Sequence, residues 1–196
     1  MRNRSRMMIA VPLLAALSGC VGLGGGKPPA SLFSLTATSQ VPVGVELTGK
    51  LDDAIMVIDP ETDRRLTVTR VAVQVDDSNV AYLKDAQWVE RPAHLFGSLL
   101  AETIRSRGKR LVLSGDEGFG NVRLRLGGRL VDMGYDARSQ SAVVRFDAVR
   151  VGPGGATVSK RFEAVVPGVS AKPEIVGPAL NRAANDVAAQ VADWVG

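Results

Sequence analysis

The sequence holds one cysteine, Cys20, and one histidine, His94, among its 196 residues. These are the side chains with the softest nucleophile and ligand chemistry, so they bound what the chain can do. A single imidazole rules out any multi-histidine metal constellation. One thiol leaves no internal disulfide and no thiolate cluster. His94 falls in the first turn of a helical pattern, off its apolar stripe, and reads as a surface or boundary residue. The paired acids Asp52-Asp53 and Asp76-Asp77 sit in turn-like polar stretches, where carboxylates solvate and cap. No Gly-x-Ser-x-Gly elbow presents a serine. Gly24-Gly25-Gly26-Lys27 has the glycines of a phosphate loop, but Pro28 stands where Ser or Thr is needed and no strand precedes it. The Gly115–Gly120 loop leads into strand signal rather than a helix, which removes a nucleotide reading there too. No catalytic residue, cofactor or metal is therefore expected, and the chain is not expected to be an enzyme.

Cys20 is the exception, because of what precedes it. Arg2, Arg4 and Arg6 are followed by the mostly apolar Met7–Leu17, then by Ser18-Gly19 and the cysteine. Positive, apolar and small in that order is a secretory signal peptide. The apolar run is shorter than the roughly 18–20 residues a membrane-spanning helix needs, and Pro12 interrupts it. Leu17-Ser18-Gly19-Cys20 resembles a bacterial lipobox, in which the thiol takes a diacylglycerol and cleavage leaves the cysteine as the new N-terminus. The expected organisation is a signal peptide over 1–19, a lipidated Cys20 with a flexible tether over 20–30, and a single periplasmic domain over 31–196. The Gly-rich tether spans roughly 16 to 19 Å r.m.s..

Processing changes the charge argument. Three of the 24 basic residues and none of the 20 acidic ones lie in 1–19, so the balance falls from +4 to +1 on cleavage. The sequence pI of 9.6 belongs largely to the discarded segment, and a nucleic-acid partner loses its support. The remaining chain is one domain's length and buries about 70% of its unfolded surface.

The elements that fill that domain are legible as patterns. Ser31–Leu35 reads as a short first strand, Ser39–Asp53 as irregular, and Ala54–Ile58 as a buried strand before the turn signal Asp59-Pro60. Thr67–Val75 alternates with β-branched residues, and Val80–Leu83 and Leu111–Ser114 are shorter strands. Pro92–Arg105 is a helix, with Pro92 at its first position and Leu95, Phe96, Leu99, Leu100 and Ile104 on one face. Asn121–Tyr135, Ala142–Val151 and Thr157–Val166 read as three long strands joined by short loops, an antiparallel meander. Gly127-Gly128 marks a bulge or bend in the first of them. Arg145, Asp147, Arg161 and Glu163 alternate in sign as cross-strand partners do and read as a solvated face. Pro173–Trp194 closes the chain as a core helix, with Val176, Leu180, Ala183, Val187, Val191 and Trp194 in a stripe and Asn181 and Asn185 off it. It lacks the basic face of a membrane-surface helix. The expected class is α+β, a mainly antiparallel sheet with a three-strand meander and two helices packed on it.

The run Val80-Ala81-Tyr82-Leu83-Lys84-Asp85-Ala86-Gln87-Trp88-Val89-Glu90-Arg91-Pro92 resembles the ABC-type transport auxiliary lipoproteins, the group that includes the PqiC-like lipoproteins. In that family a strand ending near Tyr-Leu is followed by a short acidic turn, a Trp and an amphipathic helix. Arg70–Val73, Leu99-Leu100, the lipobox and the alanine-rich closing helix fit the same pattern. The resemblance implies a non-enzymatic accessory lipoprotein on the inner leaflet of the outer membrane, facing the periplasm. Its partners would be the membrane through its lipid, an MCE-domain protein, through that an ABC permease and ATPase, and other copies of itself in a ring. Such systems move phospholipids or other apolar compounds between the two membranes. Val21, rather than aspartate, follows Cys20, which fits the outer location. Lipobox, tether and small domain suit equally a scaffold or regulatory lipoprotein acting on a cell-wall synthase. Tyr82, Leu83, Trp88 and Pro92 carry the resemblance. Aromatics at such a strand-to-helix turn either plug the end of a core or present an interface or lipid contact.

Overall fold

In the computed structural model, which describes residues 32–115 and 122–196, both predicted helices form. The signal peptide, Cys20, the tether and most of the Gly115–Gly120 loop lie outside the described residues. In chain order the elements are β1 (Ile55–Val57), β2 (Glu61–Thr62), β3 (Arg70–Gln74), β4 (Val80–Gln87), α1 (Pro92–Ser106), β5 (Val112–Ser114), β6 (Leu124–Asp136), β7 (Ser141–Val151), β8 (Thr157–Val166) and α2 (Pro173–Val195).

Both helices lie on one face of the sheet because their stripes are the complement of its inward positions. Leu95, Phe96, Leu99, Leu100 and Ile104 of α1 are buried, as are Val176, Leu180, Ala183, Val187 and Val191 of α2. They meet Leu126, Leu130 and Met133 from β6 and Ala142, Val144, Phe146 and Ala148 from β7 in one core. Phe96 and Phe146 pack edge to face at 5.2 Å between ring centres. The alanines of α2 let it approach the sheet closely, and its one strongly buried polar side chain is Asn185.

The sheet departs from expectation. On one edge β6 pairs antiparallel with β7, which pairs antiparallel with β8. On its other edge β6 is met in turn by β1 (Ile55 opposite Leu124), β2 (Glu61 opposite Arg129) and β3 (Ala72 opposite Gly134), all parallel. Ile55–Gln74 therefore runs beside β6 as one interrupted strand. β5 adds to β1 in parallel and β4 to β3 antiparallel. Four of the seven pairings are parallel, so the sheet is mixed. This corrects the mainly antiparallel sheet with a three-strand meander; the α+β class with two helices is what the structure has. Alternation along a strand reports its buried face, not its direction. Direction here is set by the passage through β4, α1 and β5, the long crossover that parallel partners need.

Two smaller differences matter for the site. The expected first strand is a single bridge between Phe33 and Trp88. The Thr67–Val75 strand shortens to Arg70–Gln74, while the Val80–Leu83 strand lengthens through Gln87.

Candidate functional site

The four residues that carry the family resemblance gather where β4 turns into α1. Between the pairs Arg70–Gln87 and Ala72–Tyr82 the register slips, leaving Leu83–Ala86 opposite Val71. Asp85 takes a left-handed φ of 57° there. The expected acidic turn is thus a large bulge inside one strand. Bulges bend a strand and re-aim its side chains, and this one returns Ala86 and Trp88 to the interior. Trp88 is 2% exposed, its N–H donates to the Thr69 carbonyl at 2.7 Å, and its ring packs edge to face on Phe33. Pro92 is buried at the first position of α1, where its missing N–H costs no helical bond. Leu83 is half-buried against the core. Tyr82 is also half-buried, with the Arg70 guanidinium 3.8 Å from its ring centre, a cation–π contact. Trp88 and Pro92 are therefore core residues, whereas Tyr82 presents a capped aromatic near the surface. Cys20 lies outside the described residues.

The segment emerging from the tether is fastened across this corner. Phe33 donates its N–H to the Gln87 carbonyl at 2.7 Å and accepts from Val89 at 2.8 Å. Its ring lies against Gly177, where a Cβ would come within 3.1 Å. Thr36 N–H donates to Asn181 Oδ1 at 2.9 Å, and Thr38 N–H to Asn185 Oδ1 at 2.8 Å. Asn185 Nδ2 donates back to the Thr36 carbonyl at 2.9 Å, and Val41 N–H reaches Glu102 Oε1 at 2.9 Å. Two side-chain amides four residues apart thus act as a strand edge for residues 36–38, and Phe33–Val41 straps both helices. Reading Asn181 and Asn185 as the polar face of α2 missed this. The available signal was Gly177, Asn181 and Asn185 at four-residue spacing, a groove with amides in it.

A cleft of about 610 Å³ opens beside the corner, bordered by Thr62, Thr67, Thr69, Arg91 and His94. His94 Nδ1 lies 2.8 Å from Asp59 Oδ2, and Nε2 lies 3.5 Å from Glu90 Oε2. The hydrogen bond to Asp59 raises the His94 pKa above the ordinary histidine value, against a smaller opposing effect of desolvation. Gly97 makes room, since a Cβ there would stand 2.6 Å from Asp59 Oδ1. His94 is exposed, as its sequence position predicted, but it is paired with an acid far off in sequence. Its imidazolium ties the β1–β2 connection to the start of α1. Among the described residues no group of three or more His, Cys, Asp or Glu side chains is placed to hold a metal ion.

No family model and no curated protein matches the chain. Among solved structures, protein XCC0632 from Xanthomonas campestris, described as a DUF330 protein, superposes with a TM-score of 0.69 at 14% identity, covering 84% of this chain and 94% of that one. The fold is shared. The crystal structure of an uncharacterized protein gives a TM-score of 0.64 at 11% identity, over 85% of this chain and all of the other. The PelC dodecamer from Paraburkholderia phytofirmans diverges further, with a TM-score of 0.45 at 18% identity over 75% coarser-matching limits set by 73% of this chain and 87% of its own. Among the described residues no helix is long and apolar enough to cross a membrane.

Proposed function

We propose that the chain is a non-enzymatic, lipid-anchored accessory subunit of an MCE-type ABC transporter that moves phospholipid or other apolar compounds between the inner and outer membranes. The observation that carries the reading is one chain uniting a lipobox-like Leu17–Cys20 with the fold of a DUF330 protein, DUF330 being the PqiC-like family. The Tyr82–Pro92 corner supports it by family resemblance. Each buried CH₂ of an acyl chain contributes about 0.8 kcal/mol, so a diacylglycerol with a further acyl group holds the domain durably on the inner leaflet of the outer membrane. From there it faces the periplasm and contacts an MCE-domain protein, through that the permease and ATPase, with other copies completing a ring. The strap gives the tether a fixed point of departure: pull on the lipid is carried through Phe33 and Thr36–Thr38 into α2 rather than into a loose end.

The test is affinity purification of the lipidated protein from gently crosslinked membranes, followed by identification of the captured proteins. An MCE-domain protein with its permease and ATPase is the expected result. Capture of a cell-wall synthase without any transporter component would overturn the reading.

A further inference from the structure

On the sheet face opposite the helices, β6 presents Arg125, Gly127 and Arg129 at alternate positions, while Leu126 and Leu130 point into the core and are fully buried. Across the strands Arg125 faces Val151, Gly127 faces Val149 and Arg129 faces Asp147. On the other side Ile58 donates its N–H to the Leu126 carbonyl at 2.8 Å and leaves its side chain 45% exposed. The result is a depression of about 530 Å³ with Gly127 in its floor and Ile58, Val149 and Val151 around it. That volume lies in the range of small-molecule sites.

The two adjacent glycines are there for different reasons. Gly128 has a φ of 137°, and a Cβ on it would fall on the Asp147 carbonyl oxygen, so the backbone demands glycine. Gly127 has no such φ, and a Cβ on it would meet only Ile58 Cβ at 3.7 Å, an ordinary contact. Its missing side chain is not required by the strand, yet it is what leaves the floor open.

The charges around the rim are unequal. Arg129 stands between Glu61 and Asp147. Asp147 is held by Arg161 at 2.6 and 2.7 Å, and Asp59 by His94 at 2.8 Å. Arg125 has Met56 and Val151 as strand neighbours and makes no ion pair among the described residues. One end of the depression is thus a free guanidinium and the middle is apolar.

We propose that this depression binds an amphiphilic anion. A carboxylate or phosphate monoester head pairs with Arg125, whose planar fork suits both, and an apolar body lies over Gly127 between Ile58 and Val149. The site rests on this face alone and stands apart from the choice of transporter partner.

The test uses the lipid-anchored protein in nanodiscs of zwitterionic lipid and a photoactivatable fatty acid, with the adducts mapped by mass spectrometry. Expected are saturable adducts on the segments around Ile58–Glu61 and Val149–Val151, competed by dodecanoate or dodecyl phosphate and not by acetate or inorganic phosphate. Arg125→Gln and Gly127→Val should each lower the yield at least tenfold with thermal melting unchanged, and Arg125→Lys should restore part of it. Gly127→Ala, a smaller step into the same floor, keeps the test open if valine disturbs the sheet. Adducts elsewhere, yields indifferent to both the Arg125 and Gly127 substitutions, or competition by inorganic phosphate as strong as by dodecyl phosphate would overturn the proposal.

Discussion

Along one edge of β6 the partner is β7, which begins as soon as the Ala137–Gln140 turn is made and then pairs in sequence down to Val151. Along the other edge the partners are β1, β2 and β3, three short pieces of Ile55–Gln74 separated from β6 by β4, α1 and β5. The first edge is a local hairpin whose register the turn can set. The second is assembled only when the chain returns after its crossover, so its register depends on packing beneath it and on places where the backbones come close. Gly128 marks the close approach on the hairpin edge and Gly134 that on the parallel edge, where a Cβ would lie 2.5 Å from the Ala72 carbonyl oxygen. An edge closed early by a turn needs little from its neighbours; an edge closed late needs a buried plug, and Trp88 is that plug.

The largest effect should therefore come from Trp88→Ala, which opens the core beneath β3 and releases Phe33. A loss of about 3–5 kcal/mol is expected in denaturant unfolding; a loss under about 1 kcal/mol would mean that β3 does not depend on the corner. Gly128→Ala combines an unfavourable φ with a backbone clash and should cost ~2–4 kcal/mol. Gly134→Ala, with the clash alone, should cost ~1–3 kcal/mol. Thermal melts of the two variants would reverse the comparison if Gly134→Ala proved the worse. Asn185→Ala removes both halves of the strap's side-chain pairing and leaves the Thr36 carbonyl and Thr38 N–H short of partners. A cost of about 1–3 kcal/mol should appear with faster amide exchange confined to residues 33–41, and exchange unchanged there would deny the strap its role.

The smallest effect is a pH dependence. Because the Asp59 bond raises the folded-state pKa of His94, its contribution is fully present below the ordinary histidine value, while Asp59 stays ionised, and is lost as pH rises through the raised value. Both groups are half exposed, so the change is small. His94→Ala should lower the melting temperature more near about pH 6 than near about pH 8.5; an equal drop at both would show that the imidazolium is not what ties the loop to α1.

What could be read from the residues follows the same division. Both helices, their buried stripes and the cross-strand pairs Arg145–Glu163 and Arg161–Asp147 were legible, because each is decided within a few residues or across one short turn. The parallel pairings were not, since Ala54–Ile58 and Thr67–Val75 alternate or cluster identically whichever way their neighbours run. The Leu83–Ala86 bulge was read as a turn, because its signal, Lys84-Asp85, is turn chemistry whether the strand resumes or not. At the site, Trp88 and Pro92 showed themselves by type and spacing. His94 and Asp59, Thr38 and Asn185, and Gly127 with Ile58 are brought together only by the fold.

The most direct test of the account is fractionation of cells expressing the full chain with Cys20→Ala beside the unaltered protein. The account predicts that the unaltered protein stays with the outer membrane and yields an N-terminal lipopeptide beginning at Cys20. It predicts that the variant leaves that membrane, with its domain folded, and no longer brings down transporter components. A variant that remained in the outer membrane, or an unaltered protein whose Cys20 carried no lipid, would contradict it.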